Sequence, residues 1–427
     1  MRRNSFTSIL RPRLLLLGSI AVLLGASLSS CSNDVAAPRI IQVPSDQPTI
    51  QDAVNAAQSG DLVLIDKGVY SEGVTVENDG ITIRGMDRNA VVLDGRGKFS
   101  NGFTVTGNGV TIQNLTLHSY QQNAIIFTGV LPTSSEDDES YEYAGDSAGK
   151  VVDGYRVDHV TTFNNGLYGI YAFASRNGVI ENSYASGHPD SGIYVGQCRP
   201  CNAVLQNNVS ENNAIGYYGT NASGNVFVVN SIFRKNRLGI APNSQDAEKL
   251  SPQSSTVVAG NIVDDNDNPD APKIPEGFFA AGIAVGGGTE NTVTKNKVTN
   301  HSGAGIVLLT LNQYEPQGNV ISENFLLNNG TDLVYTSRTD LGNKNCFERN
   351  RYKSSSPSNI EKIMKCGRES NVPSTSFLFP VAPLGPNFQD VVKPGEQPNM
   401  RNPKTAKWSP VVGEPSYPNI DSIALPK

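Results

Sequence analysis

The side chains best equipped for chemistry in this 427-residue chain gather between Tyr171 and Cys201. His188 and Asp190 flank Pro189 in a turn just ahead of Gly192-Ile193-Tyr194-Val195-Gly196-Gln197. An imidazole and a carboxylate so close can exchange protons with a bound molecule or orient its hydroxyls. Tyr171, Phe173 and Tyr194 add aromatic faces on which a sugar ring can stack, with phenol hydroxyls free for hydrogen bonds. Each group also has a plainer use. Asp190 can cap its turn with His188 in solvent, and the rings can form a packed ladder under a loop such as 131–150. Arg156, Asp158 and His159 form a second charged group, with an Arg156–Asp158 ion pair as the expected arrangement. His118 and His301 stand alone.

The cysteines point to structure rather than catalysis. Cys198, Cys201, Cys346 and Cys366 are an even set, and an even set in an exported chain reads as two disulfides. Cys198–Cys201 with Cys346–Cys366 is the simplest of three pairings. The alternative for Cys198-Arg-Pro-Cys201 is a redox or metal pair, but it ends a strand rather than opening a helix, and no second such pair completes a zinc site. Asp264-Asp265-Asn266-Asp267-Asn268 has oxygen ligands enough for Ca²⁺ but no recognised calcium-loop spacing. It reads as a solvated acidic loop, so no metal site and no cofactor are expected, Ca²⁺ being the one candidate.

Something periodic must position these groups. Asn-rich turns lead repeatedly into short apolar strands with Ile or Leu at one place: Ile170, Ile193, Ile215, Ile240, Ile283, Ile306 and Leu333. The steps are 23, 22, 25, 43, 23 and 27 residues, with no helical pattern inside them. Such a period means stacked β coils, each burying its apolar side chains against the next. With the repeated Ile inward, the next residue points out. That places Ile126, Tyr171, Tyr194, Gly216, Ala241, Ala284 and Val307 in one outward column, with Phe173 beside it. Asn182, Asn207, Asn230, Asn261, Asn296 and Asn324 follow strands, where Asn tolerates left-handed backbone and can form ladders between coils. Insertions at 131–150, 243–255 and 265–280 adjoin the strand family that carries the repeated Ile. An amphipathic helix at Ile50–Ala57, capped by Thr49, is suited to cover the open end of the stack.

Four arginines precede an apolar run from Leu14 to about Leu28, and Leu28-Ser29-Ser30-Cys31 follows. This is the pattern of a signal peptide over residues 1–30. The final four residues resemble the bacterial lipobox, which implies a lipid on Cys31 as the only membrane anchor, at the outer face of a bacterial membrane. Residues 31–44 read as a tether, 45–350 as the coiled body and 351–427 as a Pro-rich tail that packs on the body or trails from it. Removing the leader takes 34 basic residues to 30 against 40 acidic ones, a net charge near −10. No general attraction for DNA or RNA remains.

The repeat, the opening Thr49-Ile50-Gln51-Asp52-Ala53 with Gly60-Asp61 and Gly68-Val69-Tyr70, and the Gly192–Gln197 phrase together resemble the right-handed parallel β-helix of the pectin-lyase-like superfamily. The resemblance covers about residues 45–350 and implies an all-β single-stranded solenoid with a short capping helix. Members cleave, epimerise or hydrolyse acidic polysaccharides, serve as adhesins or act as maturation factors. The epimerase branch carries Asp-Pro-His-Asp, whereas this chain has His188-Pro189-Asp190 without the leading Asp, so those roles are not transferred. Fold alone does not fix function. The expected function is an envelope lipoprotein that binds a glycan or other envelope component through Tyr171, Phe173 and Tyr194. A polysaccharide lyase, hydrolase or epimerase using His188 and Asp190 is the alternative, and a NosD-like metal-centre maturation factor the third.

Overall fold

The computed structural model describes residues 37–129, 151–246, 250–273, 278–338, 343–369, 372 and 376–427. The leader with Cys31 and the 131–150 insertion therefore lie outside the described residues, as do 247–249 and 274–277 within the other two insertions. The chain winds into a right-handed solenoid of about 11 turns. Each turn contributes one strand to each of three parallel sheets, of 12, 10 and 11 strands. In chain order within a turn these are called here the A, B and C sheets. Among the described strands pairing runs between successive turns, as Ile170↔Ile193 and Tyr171↔Tyr194 illustrate. The core is one continuous column of Ile, Val, Leu and Phe from Ile41 to Phe347.

The body is longer than the sequence suggests. Ile40–Val43 pairs in parallel with Leu62–Ile65, so the last residues of the expected tether are already the first strand. Alternating burial of Ile41 and Val43 stabilises them there. At the other end Ser355–Ser356 still pairs with the C sheet. Helix α1 (Ile50–Ala56) buries Ile50, Ala53 and Val54 over the open first turn. The Thr49 hydroxyl accepts from the Asp52 N–H at 3.0 Å, and Glu72 accepts from the N–H groups of Ile50 and Gln51. These are the donors that a helix start leaves unsatisfied. Helix α2 (Ile360–Ile363), with Ile360 and Met364 buried, closes the far end. It is tied there by the Cys346–Cys366 disulfide.

Two adjacent turn positions share the work that the sequence gives to a single asparagine. The first holds left-handed backbone: Asn182, Asn207 and Asn230 at φ near 50°, then Gly260, Lys295 and Glu323 in the same place. The second is the ladder rung. Asn261, Asn296, Asn324 and Asn350 each offer Oδ1 to the previous rung, with Asn261 N–H to Asn296 at 3.0 Å and Asn296 N–H to Asn324 at 2.9 Å. Asn and Gln form similar columns at the other two corners of the coil.

The Pro-rich tail packs on the body as a long strap with almost no secondary structure of its own. Its backbone is held by the three largest fully buried side chains of the body, Arg84, Arg88 and Arg237. Arg237 donates to Pro383 O, Arg88 to Pro398 O, and Arg84 to the carbonyls of Pro403, Ala406 and Lys407. The strap thus climbs from the turn at Arg237 to the turns at Arg88 and Arg84. It then doubles back over the A sheet, where Tyr417 stacks on Phe227 and Lys295 binds the carbonyl of Ile420.

Candidate functional site

Five of the six repeated Ile residues and Leu333 are fully buried in the core column, as their spacing requires. Ile215 is the exception. Ile193 pairs with Tyr217, and Ile215 instead faces outward in line with Leu238. Tyr217 takes the inward place and Tyr218 the outward one, so the outward column reads Ile126, Tyr171, Tyr194, Tyr218 and Ala241. Gly216 marks this register, since Gly169, Gly192, Gly239, Gly282 and Gly305 all precede the inward residue. A Cβ at Gly216 would stand 2.5 Å from the Gly239 carbonyl of the next turn, and one at Gly239 2.4 Å from that of Gly282. The coils approach too closely there for any other residue. That glycine would have identified Tyr218 from the sequence.

The outer face of the C sheet therefore carries three tyrosines on consecutive turns. Ring centroids of Tyr171 and Tyr194 are 4.8 Å apart, and those of Tyr194 and Tyr218 are 6.1 Å apart. Tyr168, absent from the sequence reading, lies flat on Tyr171 at 4.3 Å. Phe173 joins the row 5.7 Å from Tyr171. Exposure is uneven. Tyr194 is 2% exposed and Phe173 6%, so these two form a floor rather than the open platform expected of them. Tyr168, Tyr171 and Tyr218 remain half-buried at its surface. Asp190 shares a hydrogen bond with the Tyr168 hydroxyl; burial first, then the Asp190 charge, pushes that phenol well above its ordinary pKa. Gln245, in the insertion after Leu238–Asn243, bonds the Tyr218 hydroxyl.

His188 is not part of this surface. It is fully buried and serves as a rung of the B-to-C corner ladder, between Asn165 and Asn213. Its Nδ1–H donates to Asn213 Oδ1 at 2.8 Å, and Nε2 accepts from Asn165 Nδ2 at 3.2 Å. Both ring nitrogens are thus committed, and burial lowers its pKa to about 4. The expected acid–base partnership with Asp190 is corrected accordingly. His301 repeats the arrangement between Asn266 and Asn329.

The second charged group is also rearranged. Arg156 pairs with Glu181 on the next turn, and Asp158 is bonded by His159 Nδ1 at 2.6 Å and Asn182 Nδ2 at 2.9 Å. Burial alone would raise the Asp158 carboxyl; those bonds and the Arg156 charge bring it below the usual range. Cys198 and Cys201 form a local disulfide, which removes the thiolates that a metal or redox pair would need. In the acidic loop, Asp264 accepts from Thr299 and Asn300 while Asn266 is a ladder rung. His118 lies 3.6 Å from Asp94 and stacks on Phe163.

A family model described as right handed beta helix region matches residues 150–326. No curated protein sequence matches the chain. Among solved structures, the A-module of mannuronan C-5 epimerase AlgE6 from Azotobacter vinelandii superposes with a TM-score of 0.50 at 14% identity, covering 71% of this chain and 91% of that one. The AlgE4 A-module of the same organism gives 0.48 at 15% identity, with 72% and 90% covered. Pectate lyase Pel9A gives 0.46 at 13%, with 90% and 95% covered. The three stacked parallel sheets, with the AlgE6 likeness in fold alone, make the chain a right-handed parallel β-helix.

Proposed function

We propose that this chain is an envelope lipoprotein that binds a glycan on the outer face of its C sheet. The observation that carries the reading is the row Tyr171–Tyr194–Tyr218 on consecutive turns, with Tyr168 and Asp190 at its edge. Rings repeating at the coil spacing present hydrophobic faces along a line, which suits an extended chain of sugars. Tyr171 and Tyr218 are the contact residues, while Tyr194 and Phe173 support them from below. Asp190 is suited to accept from sugar hydroxyls. Replacing Tyr171 and Tyr218 together by Ala should abolish retention on an immobilised glycan panel. The melting temperature should stay near that of the parent, because both rings lie outside the main core. Undiminished retention would remove the site.

The carbohydrate-active alternative keeps one specific observation, the Asp190–Tyr168 pair. A carboxylate positioned by a phenol that stays protonated can accept a proton as general base. New reducing or unsaturated ends from a polysaccharide panel, lost in Asp190→Asn and in Tyr168→Phe, would favour it over binding alone. Anchoring rests on Cys31. Metabolic labelling with a fatty acid should mark the full chain and spare a Cys31→Ser variant; equal labelling of both would end the lipoprotein reading.

A further inference from the structure

Beneath the returning leg of the strap, the A sheet carries a cleft of about 310 Å³. Its floor is Thr111, Gln113 and Arg156, and its wall is Lys407, Trp408 and Ser409. A second cleft of about 340 Å³ continues from it past Glu181 and shares Arg156 and Val411. Both are at the lower end of the roughly 300–1,000 Å³ range of small-molecule sites.

We infer that this cleft is a binding site for a short acidic saccharide, clamped between the strap and the body. Two cations reach it from opposite sides. Lys407 is exposed and makes no ion pair among the described residues, while its backbone carbonyl is fixed by Arg84 at 3.2 Å. Arg156 spends Nη2 on Glu181, while its side chain stays 41% exposed and lines both clefts. A sugar carboxylate matches it, because a planar guanidinium binds carboxylate oxygens through its fork. The local charge favours the same ligand. Arg156 and Lys407 line the first cleft with no carboxylate among its lining residues, and Glu181 and Glu414 line only the second.

The remaining lining selects a sugar over a bare anion. Trp408 donates through Nε1 to Gly60 O at 2.9 Å, which fixes the indole at the wall of the cleft as a stacking surface. Thr111 and Ser409 provide hydroxyls for ring hydroxyls, whereas the Gln113 amide is held by Arg84 and Asp158. The site lies on the A sheet and uses no residue of the tyrosine row on the C sheet, so it stands independently of the reading given above.

Trp408 is the only tryptophan in the chain, which makes its fluorescence a report on this cleft alone. Titration of the intact protein with a galacturonate trimer should produce a saturable change in emission, and a neutral glucose trimer should produce none. Lys407→Gln should weaken the acidic trimer at least about tenfold without altering the melting temperature, since the side chain is exposed; Arg156→Gln should weaken it further. The Tyr171→Ala, Tyr218→Ala variant should keep the whole response, so loss of the C-sheet site would leave this one intact. No change in Trp408 emission at saturating trimer, an equal response to the neutral trimer, or undiminished affinity in Lys407→Gln would each overturn the proposal.

Discussion

The coiled body and the strap solve the same problem by opposite means. In the body, every turn presents its N–H and C=O groups to the next turn, and buried Asn side chains complete the corners. Partners are supplied by repetition. The strap has ten prolines between residues 376 and 427, so many of its positions have no N–H to offer a sheet. Its carbonyls instead receive single donors reaching out from the body, above all the forks of Arg84, Arg88 and Arg237. Repetition spreads the cost of a lost partner over many equivalent bonds. A strap held at a few points concentrates it.

That contrast is tested most strongly at Arg88. Its guanidinium donates to Thr161 Oγ1 at 2.7 Å, Val160 O at 2.7 Å, Asn182 O at 3.1 Å and Pro398 O at 3.0 Å. Burial lowers its pKa to about 10, so it stays charged at neutral pH. Arg88→Ala leaves four acceptors without their charged donor and should cost about 3 kcal/mol or more in chemical denaturation. Trypsin should then cut first in the strap, at Arg401, Lys404 and Lys407, while a fragment spanning the coils survives. Simultaneous loss of strap and coils would show that the two form one cooperative unit and dissolve the contrast.

The same contrast explains what the sequence makes legible. Coils are readable because Ile170, Ile193 and Ile240 recur at a fixed phase, and any one of them predicts the next. The single misplaced member, Ile215, belongs to the one turn with Tyr217 in the inward place, where a search for aliphatic residues slides two positions. His188 is opaque in the sequence for a related reason. In isolation it is a titratable group beside a carboxylate, and only its neighbours Asn165 and Asn213 reveal it as a rung. The strap was hardly legible at all. Arg84, Arg88 and Arg237 look like ordinary solvated cations, and their acceptors lie up to 323 residues away with no pattern to link them. The tyrosine row falls between: its outward direction follows from strand alternation, but how deeply Tyr194 sits depends on rings contributed by other coils and turns.

The smallest expected effect, and the finest test of the body's redundancy, concerns its two histidine rungs. His188 and His301 each donate from Nδ1 and accept at Nε2, an arrangement open only to the neutral ring. Burial holds both near pKa 4, against 6.5 for the free side chain; the Asn213 and Asn329 oxygens, and for His301 the Asp267 and Asp264 charges, offset it only in part. Because the folded value is lower, the unfolded chain takes up protons that the folded chain refuses. Their contribution is therefore complete above about pH 6.5, declines as the pH falls, and stops changing below about 4. Asparagine occupies the equivalent rung in neighbouring turns, so His188→Asn with His301→Asn should change stability at pH 7 by no more than about 1 kcal/mol. The variant should also lose much of the decline between pH 6.5 and 4.5 in denaturant midpoints, with tryptic cleavage of the strap unchanged. An unaltered acid slope would mean that neither ring is held neutral by the ladder, and the corner asparagines would then be partners of a charged imidazolium instead.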